Sequence, residues 1–374
     1  MKGSITSRIL SLLGLAIFAS FIGWVAFNTT SKTVTNATNA AAMTLAFAGL
    51  AILTHYLGLL SLGQGAFIGV GAYCALHAVN DFGVPVVWMP LAGLIGGAIA
   101  GAVVAVPSLR LPKAYLALLT LSLAVAFPIV LKQIDGNLPV TLDGKFDTPS
   151  WTGIAAKDEH IWEFAIVLSY SAIALFLVQG ILRGPIGRAF LACRDEPEAA
   201  AAFGIPVYRL RLYGVALSGG LAGLAGGLLL VPVNFNDYTH FPEELSIKMF
   251  ALVIALGGAS VIASVPSSII LIFLPIWLVD QNWVVERGWI GFIKSEGFIY
   301  AALLLGTAYL TKGKGFMTII EKRRSSRQNR LAADPNTQSN IVLTLERVDQ
   351  RLSALEGWLD GEAPDMRSPQ DDID

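Results

Sequence analysis

The sequence predicts an all-α, polytopic membrane protein of about ten transmembrane helices, with both termini cytoplasmic and a cytoplasmic amphipathic helix near the C-terminus. Three observations predict it. Hydrophobic residues make up 54% of the 374 residues and charged residues only 14%. A soluble domain carries about 25% charged residues, so this chain lacks the charge to coat a globule of its size. Mean hydropathy is +0.63, and the apolar residues are gathered into runs of spanning length divided by polar links.

The runs are 9–27, 39–59, 64–80, 86–107, 114–131, 161–182, 211–231, 247–263, 265–280 and 297–311. A spanning helix needs about 20 apolar residues, fewer where it packs inside a bundle. The first run follows Lys2 and Arg8. It exceeds the roughly 7–15 residues of a secretory-signal core and reads as a retained helix. With the N-terminus inside, the inner links carry Arg110 and Lys113, then Arg183, Arg188, Arg194, Arg209 and Arg211, then Lys312, Lys314 and "EKRRSSRQNR" (321–330). The outer links carry fewer basic residues, as the positive-inside bias requires.

Glycines at spacing four recur in three runs: Gly65 and Gly69; Gly93, Gly97 and Gly101; Gly219, Gly223 and Gly227. Between helices in lipid, small residues at this spacing let backbones approach, and packing is the role expected of them. The fragments "LAGLIGG" (91–97) and "LAGLAGG" (221–227) fall in runs of opposite direction, as inverted repeats do.

The organisation read from the chain has residues 1–38 as a first helix and outer loop, 39–312 as the main transmembrane body, and 313–338 as a basic linker. An amphipathic or coiled-coil helix at 339–361 and a disordered acidic tail at 362–374 complete it. The helix rests on Ile341, Leu345, Val348, Leu352, Leu355 and Leu359, spaced alternately four and three.

The net charge of −1 identifies no partner. Cys74 and Cys193 make no disulfide framework. His55, His77, His160 and His240 share no metal-ligand spacing, so no metal is expected. There is no P-loop, no catalytic constellation, and no basic patch interleaved with aromatics. No cofactor, ATP hydrolysis on this chain or nucleic-acid ligand is expected. His55 lies within a run, and an intramembrane ionisable group is a functional candidate. In "LTHYLGLLSLGQGAFIGVGAYCAL" (53–76), Ser61, Gly63 and Gln64 interrupt the apolar pattern. Unpaired backbone there is tolerated only against protein or a water-filled cavity. Ser61, Gly63 and Gln64, with His55, are therefore candidates for a translocation path; the competing reading is a tight turn at the inner surface.

The inner link "RGPIGRAFLACRDEPEAAAAFGIPVYRLRLYG" (183–214) is long. A short helix over 195–204 is expected, with Asp195 as N-cap, Pro197 in the first turn, Glu198 near the positive dipole end and Gly204 as stop. It is too short to stand alone in water and needs a docking surface.

"EAAAAFG" (198–204) resembles the core of the coupling loop in permease subunits of ATP-binding-cassette (ABC) importers. Together with "GLLSLGQGAFIGVGAYCAL" (58–76), "RLPKAYLALLTLSLA" (110–124) and "SGGLAGLAGGLL" (218–229), in that order, it resembles one family: permeases of branched-chain amino acid ABC importers, M-type subunit. The resemblance covers 40–312. Gln64 stands where the family often has histidine, the segment after "VIALGG" (253–258) departs from the usual pattern, and the tail beyond 320 is not a usual part of it.

The resemblance implies a non-catalytic pore subunit in a prokaryotic plasma membrane. It implies a second, homologous permease, two cytoplasmic ATPases, an extracytoplasmic solute-binding protein and surrounding lipid as partners. Asp195, Glu196, Glu198, Ala199, Ala200 and Gly204, within coupling loop 183–212, are then the expected ATPase-coupling residues. Branched-chain or other hydrophobic amino acids are the implied solutes; close relatives carry urea, short amides and other small organic solutes. A secondary transporter or channel without ATPase would bury charges within its spans, and a membrane enzyme would cluster His, Asp or Glu. The runs here keep their charges at the ends.

Overall fold

The computed structural model describes residues 30–108, 113–135, 140–142, 159–233, 235–236, 241–256, 261–279 and 305. The expected run 9–27, both termini, the linker, the amphipathic helix and the acidic tail lie outside these residues, as does 297–311 apart from Leu305. The chain divides into two units, residues 1–317 and 318–374, and every described residue belongs to the first.

The described fold is helical apart from one two-residue antiparallel pairing. Helix α1 (Ser31–Ala51) runs into a π-helical turn, Ile52–Tyr56, and α2 (Gln64–Asn80) follows an interruption. A 3₁₀ turn at Val86–Trp88 opens α3 (Met89–Ser108), and α4 is Lys113–Asp135. Then come β1 (Val140–Thr141), α5 (Glu159–Arg183), α6 (Pro185–Asp195), α7 (Pro197–Ala202) and α8 (Val207–Leu229). β2 (Phe235–Asn236), α9 (Glu243–Leu256) and α10 (Ser264–Val279) complete the described part. Val140 pairs with Asn236 and Thr141 with Phe235.

Five helices among the described residues are long and apolar enough to cross a membrane: Ser31–Tyr56, Val86–Pro107, Tyr115–Gln133, Glu159–Arg183 and Val207–Leu229. α2 (17 residues), α9 (14) and α10 (16) are shorter than the roughly 20 residues a free-standing span needs. Boundaries differ from expectation: the run 39–59 is helical only to Tyr56, and α9 begins at Glu243, before the run 247–263. The stretch before residue 39, expected as outer loop, is helical from Ser31. Its polar residues fit because the hydroxyls of Thr35 and Thr38 bond back to the carbonyls of Ser31 and Val34, satisfying themselves within the helix.

α1 and α8 form the buried centre, with Phe47, Leu50 and Leu228 fully enclosed. α3, α4 and α5 lie outside and present Ile95, Ile99, Val103, Ile129, Ile173 and Phe176 outward. Apolar side chains on the outside of a helical bundle suit a lipid solvent.

The centre is held by backbone approach. A Cβ at Gly93 would lie 2.5 Å from the Gly223 carbonyl oxygen and 3.0 Å from that of Gly71, so α2, α3 and α8 meet at three glycines. Gly97 faces Gly219, and Gly101 faces the Val215 carbonyl at 2.8 Å from a would-be Cβ. Numbers rise along α3 as they fall along α8, so the two helices are antiparallel. Gly227 lies against Pro90, 2.9 Å from a would-be Cβ to its Cα. "LAGLIGG" and "LAGLAGG" therefore meet face to face, head to tail, about the Gly93–Gly223 pair. Gly65 and Gly69 do something else: they make room for the Ser246 hydroxyl and the Phe127 ring.

Candidate functional site

The helix interruption is built from α1 downward. After the π turn, the Leu57 amide donates to the Ile52 carbonyl at 3.2 Å and the Leu59 amide to that of Leu53 at 2.8 Å. Gly58 has φ +61°, a left-handed conformation that glycine adopts without strain. The chain then runs non-helically to Gly63 and starts α2. Two hydroxyls from other helices satisfy amides that the interruption leaves without a helical partner. Leu62 N–H donates to Thr120 Oγ1 of α4, and Gly65 N–H to Ser246 Oγ of α9, each at 2.9 Å. A Cβ at Gly63 would lie 2.9 Å from the Thr120 carbonyl, so the chain here is pressed onto α4.

Gln64 is fully buried and cross-links helices: its Nε2 donates to the Ala46 carbonyl of α1 at 2.9 Å, with Ser218 Oγ of α8 at 3.5 Å. Ser61 is 1% exposed, and its hydroxyl has no hydrogen-bond partner among the described residues. His55 is half-buried at the end of the π turn, its ring edge-on to Tyr56 with centroids 5.2 Å apart. Among the described residues, no group of three or more His, Cys, Asp or Glu is disposed to hold a metal ion.

The inner link forms two helices. α6 starts with Pro185 in its first turn, and Gly187 lets it press against the Leu182 carbonyl at the end of α5. Its inner face carries Phe190 and Cys193, both buried. Phe190 shares an apolar cluster with Leu53, Leu57 and Leu59 of the interruption. Burial raises the Cys193 thiol pKa, and the Arg211 charge opposes this.

The expected helix over 195–204 is corrected. Asp195 ends α6, and Glu196 holds the N-cap position of α7 without a side-chain capping bond. The Asp195 carboxylate is engaged elsewhere: it accepts from Arg194 Nε at 2.8 Å. That hydrogen bond holds its pKa below the ordinary aspartate value. α7 ends at Ala202, and Gly204, at φ +80°, turns the chain toward α8. Ala200 is buried; Glu198, Ala199 and Gly204 are exposed. Phe203 is 87% exposed. A six-residue helix followed by an exposed aromatic ring leaves apolar surface uncovered at this link.

Sequence reasoning did not find Thr120, Ser246 or Ser218. Thr120 and Ser218 lie inside apolar runs and Ser246 just before one, and the partner of each is far away in the chain. Nor did it find Gly71, whose neighbours at spacing four are not glycine.

Comparison with known proteins places these features in context. Residues 33–307 match the family described as branched-chain amino acid transport system / permease component. The high-affinity branched-chain amino acid transport system permease protein LivM of Salmonella typhimurium is 29% identical over 297 residues, 73% of this chain and 69% of that protein. LivM of Escherichia coli K12 shows the same identity and coverage. A probable branched-chain amino acid transport permease protein LivH of Methanocaldococcus jannaschii is 30% identical over 182 residues, 44% of this chain and 55% of that protein. No solved structure matches.

Proposed function

The chain belongs to the family of branched-chain amino acid transport permease components, and from that premise we propose that it forms half of the membrane pathway of an ABC importer. The solutes are branched-chain or other hydrophobic amino acids, delivered by an extracytoplasmic binding protein. A second, homologous permease completes the pathway, and two cytoplasmic ATPases drive it. The protein is multi-pass, in a prokaryotic inner membrane, with about ten spans and both termini cytoplasmic.

One observation carries the coupling role. α7, with Glu198 and Ala199 exposed and Phe203 87% exposed beyond its end, stands between two helices with this face uncovered among the described residues. A six-residue helix is not stable by itself in water, and a partner's cleft supplies the missing contacts. Asp195, Glu196, Glu198, Ala199, Ala200 and Gly204 belong to this contact region. Movement of the ATPases displaces α6 and α7, and the displacement reaches the interruption at 57–63. Ser61, Gly63, Gln64 and His55 are the residues by which that interruption takes part in the path. The Ser61 hydroxyl supports this: it is buried and has no partner among the described residues, and such a group suits water or solute.

The test is co-expression with the neighbouring ATPase, permease and binding-protein genes. Deleting Glu198–Gly204 should leave membrane insertion intact and abolish both ATPase co-purification and uptake of radiolabelled leucine. Uptake that survives the deletion overturns the coupling role. Uptake of urea in place of leucine by the unmodified complex moves the solute assignment to the related importers of small amides.

A further inference from the structure

We propose that Arg194 is the strut that carries motion of the inner link into the helix interruption. The proposal rests on the reading of α6 and α7 as the ATPase-facing link, and names the residue that makes the link mechanical.

Arg194 sits in the last turn of α6. Its Nη1 donates to the His55 carbonyl, in the π turn that ends α1. Carbonyls at a helix end have no intrahelical partner, and an arginine is suited both to their lone pairs and to the negative end of the dipole. The aliphatic stem of the same side chain fills the space beside Gly58: a Cβ there would lie 2.7 Å from Arg194 Cγ. Gly58 is thus required twice, by its φ of +61° and by the arginine that occupies the side-chain position. On the other side, Asp195 Oδ1 accepts from Arg194 Nε at 2.8 Å and orients the guanidinium. The side chain is gripped at its stem, its Nε and its tip.

The base of the strut is also fixed. Arg211, at the start of α8, donates from Nη2 to the Cys193 carbonyl at 3.2 Å, one residue before Arg194. Phe190, one turn earlier, is buried in the cluster that contains Leu57 and Leu59. α6 therefore cannot move without displacing either the π turn or these contacts. The interruption it would displace is held by the Thr120 and Ser246 hydroxyls, and it contains Ser61, whose hydroxyl has no partner among the described residues. A lysine would not serve: it lacks the planar fork that bonds Asp195 and the carbonyl together.

The experiment reads movement at Ser61 directly. In a chain with Cys74→Ser and Cys193→Ala, Ser61→Cys is labelled with a maleimide in the full complex, nucleotide-free and trapped with ATP and vanadate. With Arg194 present, the labelling rate should differ between the two states by roughly tenfold, within the usual range for coupled sites. With Arg194→Ala the difference should vanish while vanadate-sensitive ATP hydrolysis and subunit association persist, and leucine uptake per ATP should fall by a similar factor. Arg194→Gln, which keeps the stem, replaces the alanine variant if that fails to accumulate, and Arg194→Lys should not restore the response. An undiminished response in these variants overturns the strut. Loss of ATPase association from the unmodified chain overturns instead the reading on which it rests.

Discussion

Gly97 and Gly219 face each other so closely that a Cβ on either would fall on the carbonyl oxygen of the other. The obstacle on both sides is backbone, which cannot rotate away as a side chain can. Gly97→Ala or Gly219→Ala should therefore separate α3 from α8 and lower stability by about 1–3 kcal/mol, the usual cost of overpacking. Thermal unfolding of the purified protein in detergent measures it. Gly180, in α5, has nothing within 4 Å of its would-be Cβ. Gly180→Ala should be neutral or stabilising by up to about 1 kcal/mol, since alanine favours helix over glycine.

The bond from Leu62 N–H to Thr120 Oγ1 separates two explanations of the interruption. Thr120→Val keeps the shape and removes the acceptor, leaving a half-buried amide unpaired. It should cost about 1–3 kcal/mol, whereas Thr120→Ser should cost much less because the hydroxyl stays. The same unfolding assay, run on the pair, gives the difference. Equal losses in both variants would mean that the methyl group, not the hydroxyl, holds the interruption.

Gln64 is enclosed by α1 and α8, and its donor faces the Ala46 carbonyl. Gln64→Glu replaces that donor with an oxygen and brings a charge to a fully buried position. The charged form should be disfavoured by several kcal/mol. Accumulation in the membrane should fall at neutral pH and recover partly in mildly acidic medium, where the carboxyl is protonated and can donate. Fluorescence of a tagged chain across pH reports both.

Leu62→Trp tests whether the interruption lies on the path. Leucine uptake should stop while ATPase association persists, if a solute passes this point. Lowered membrane accumulation with unchanged uptake per molecule would instead fit a plain turn between helices.

Phe203 is 87% exposed, so Phe203→Asp should leave the unfolding free energy within about 0.5 kcal/mol of the original, as for most surface changes. Under the proposed function, ATPase co-purification should drop sharply. Unchanged co-purification would show that the ring is not an anchor.

The membrane class, the runs that α2 to α5 and α8 occupy, and the family all followed from local sequence. Lipid imposes a constraint that is itself local: a spanning segment must satisfy its own backbone and be apolar over its length. The pattern of residues 58–76 and 198–204 also marked the interruption and the inner link before any coordinates. Boundaries were less legible. Thr35 and Thr38 look like loop residues until their hydroxyls are seen to bond within the helix. Asp195 looks like a cap because capping residues and arginine partners are the same residue type.

Only the tertiary structure decided which glycine meets which backbone, which hydroxyl satisfies the interrupted chain, and that Arg194 reaches His55. These are pairings between residues distant in the chain: Leu62 with Thr120, Gly65 with Ser246, His55 with Arg194. A single serine or arginine carries no periodicity, so its role is fixed by what the packing of other helices brings within about 3 Å of it.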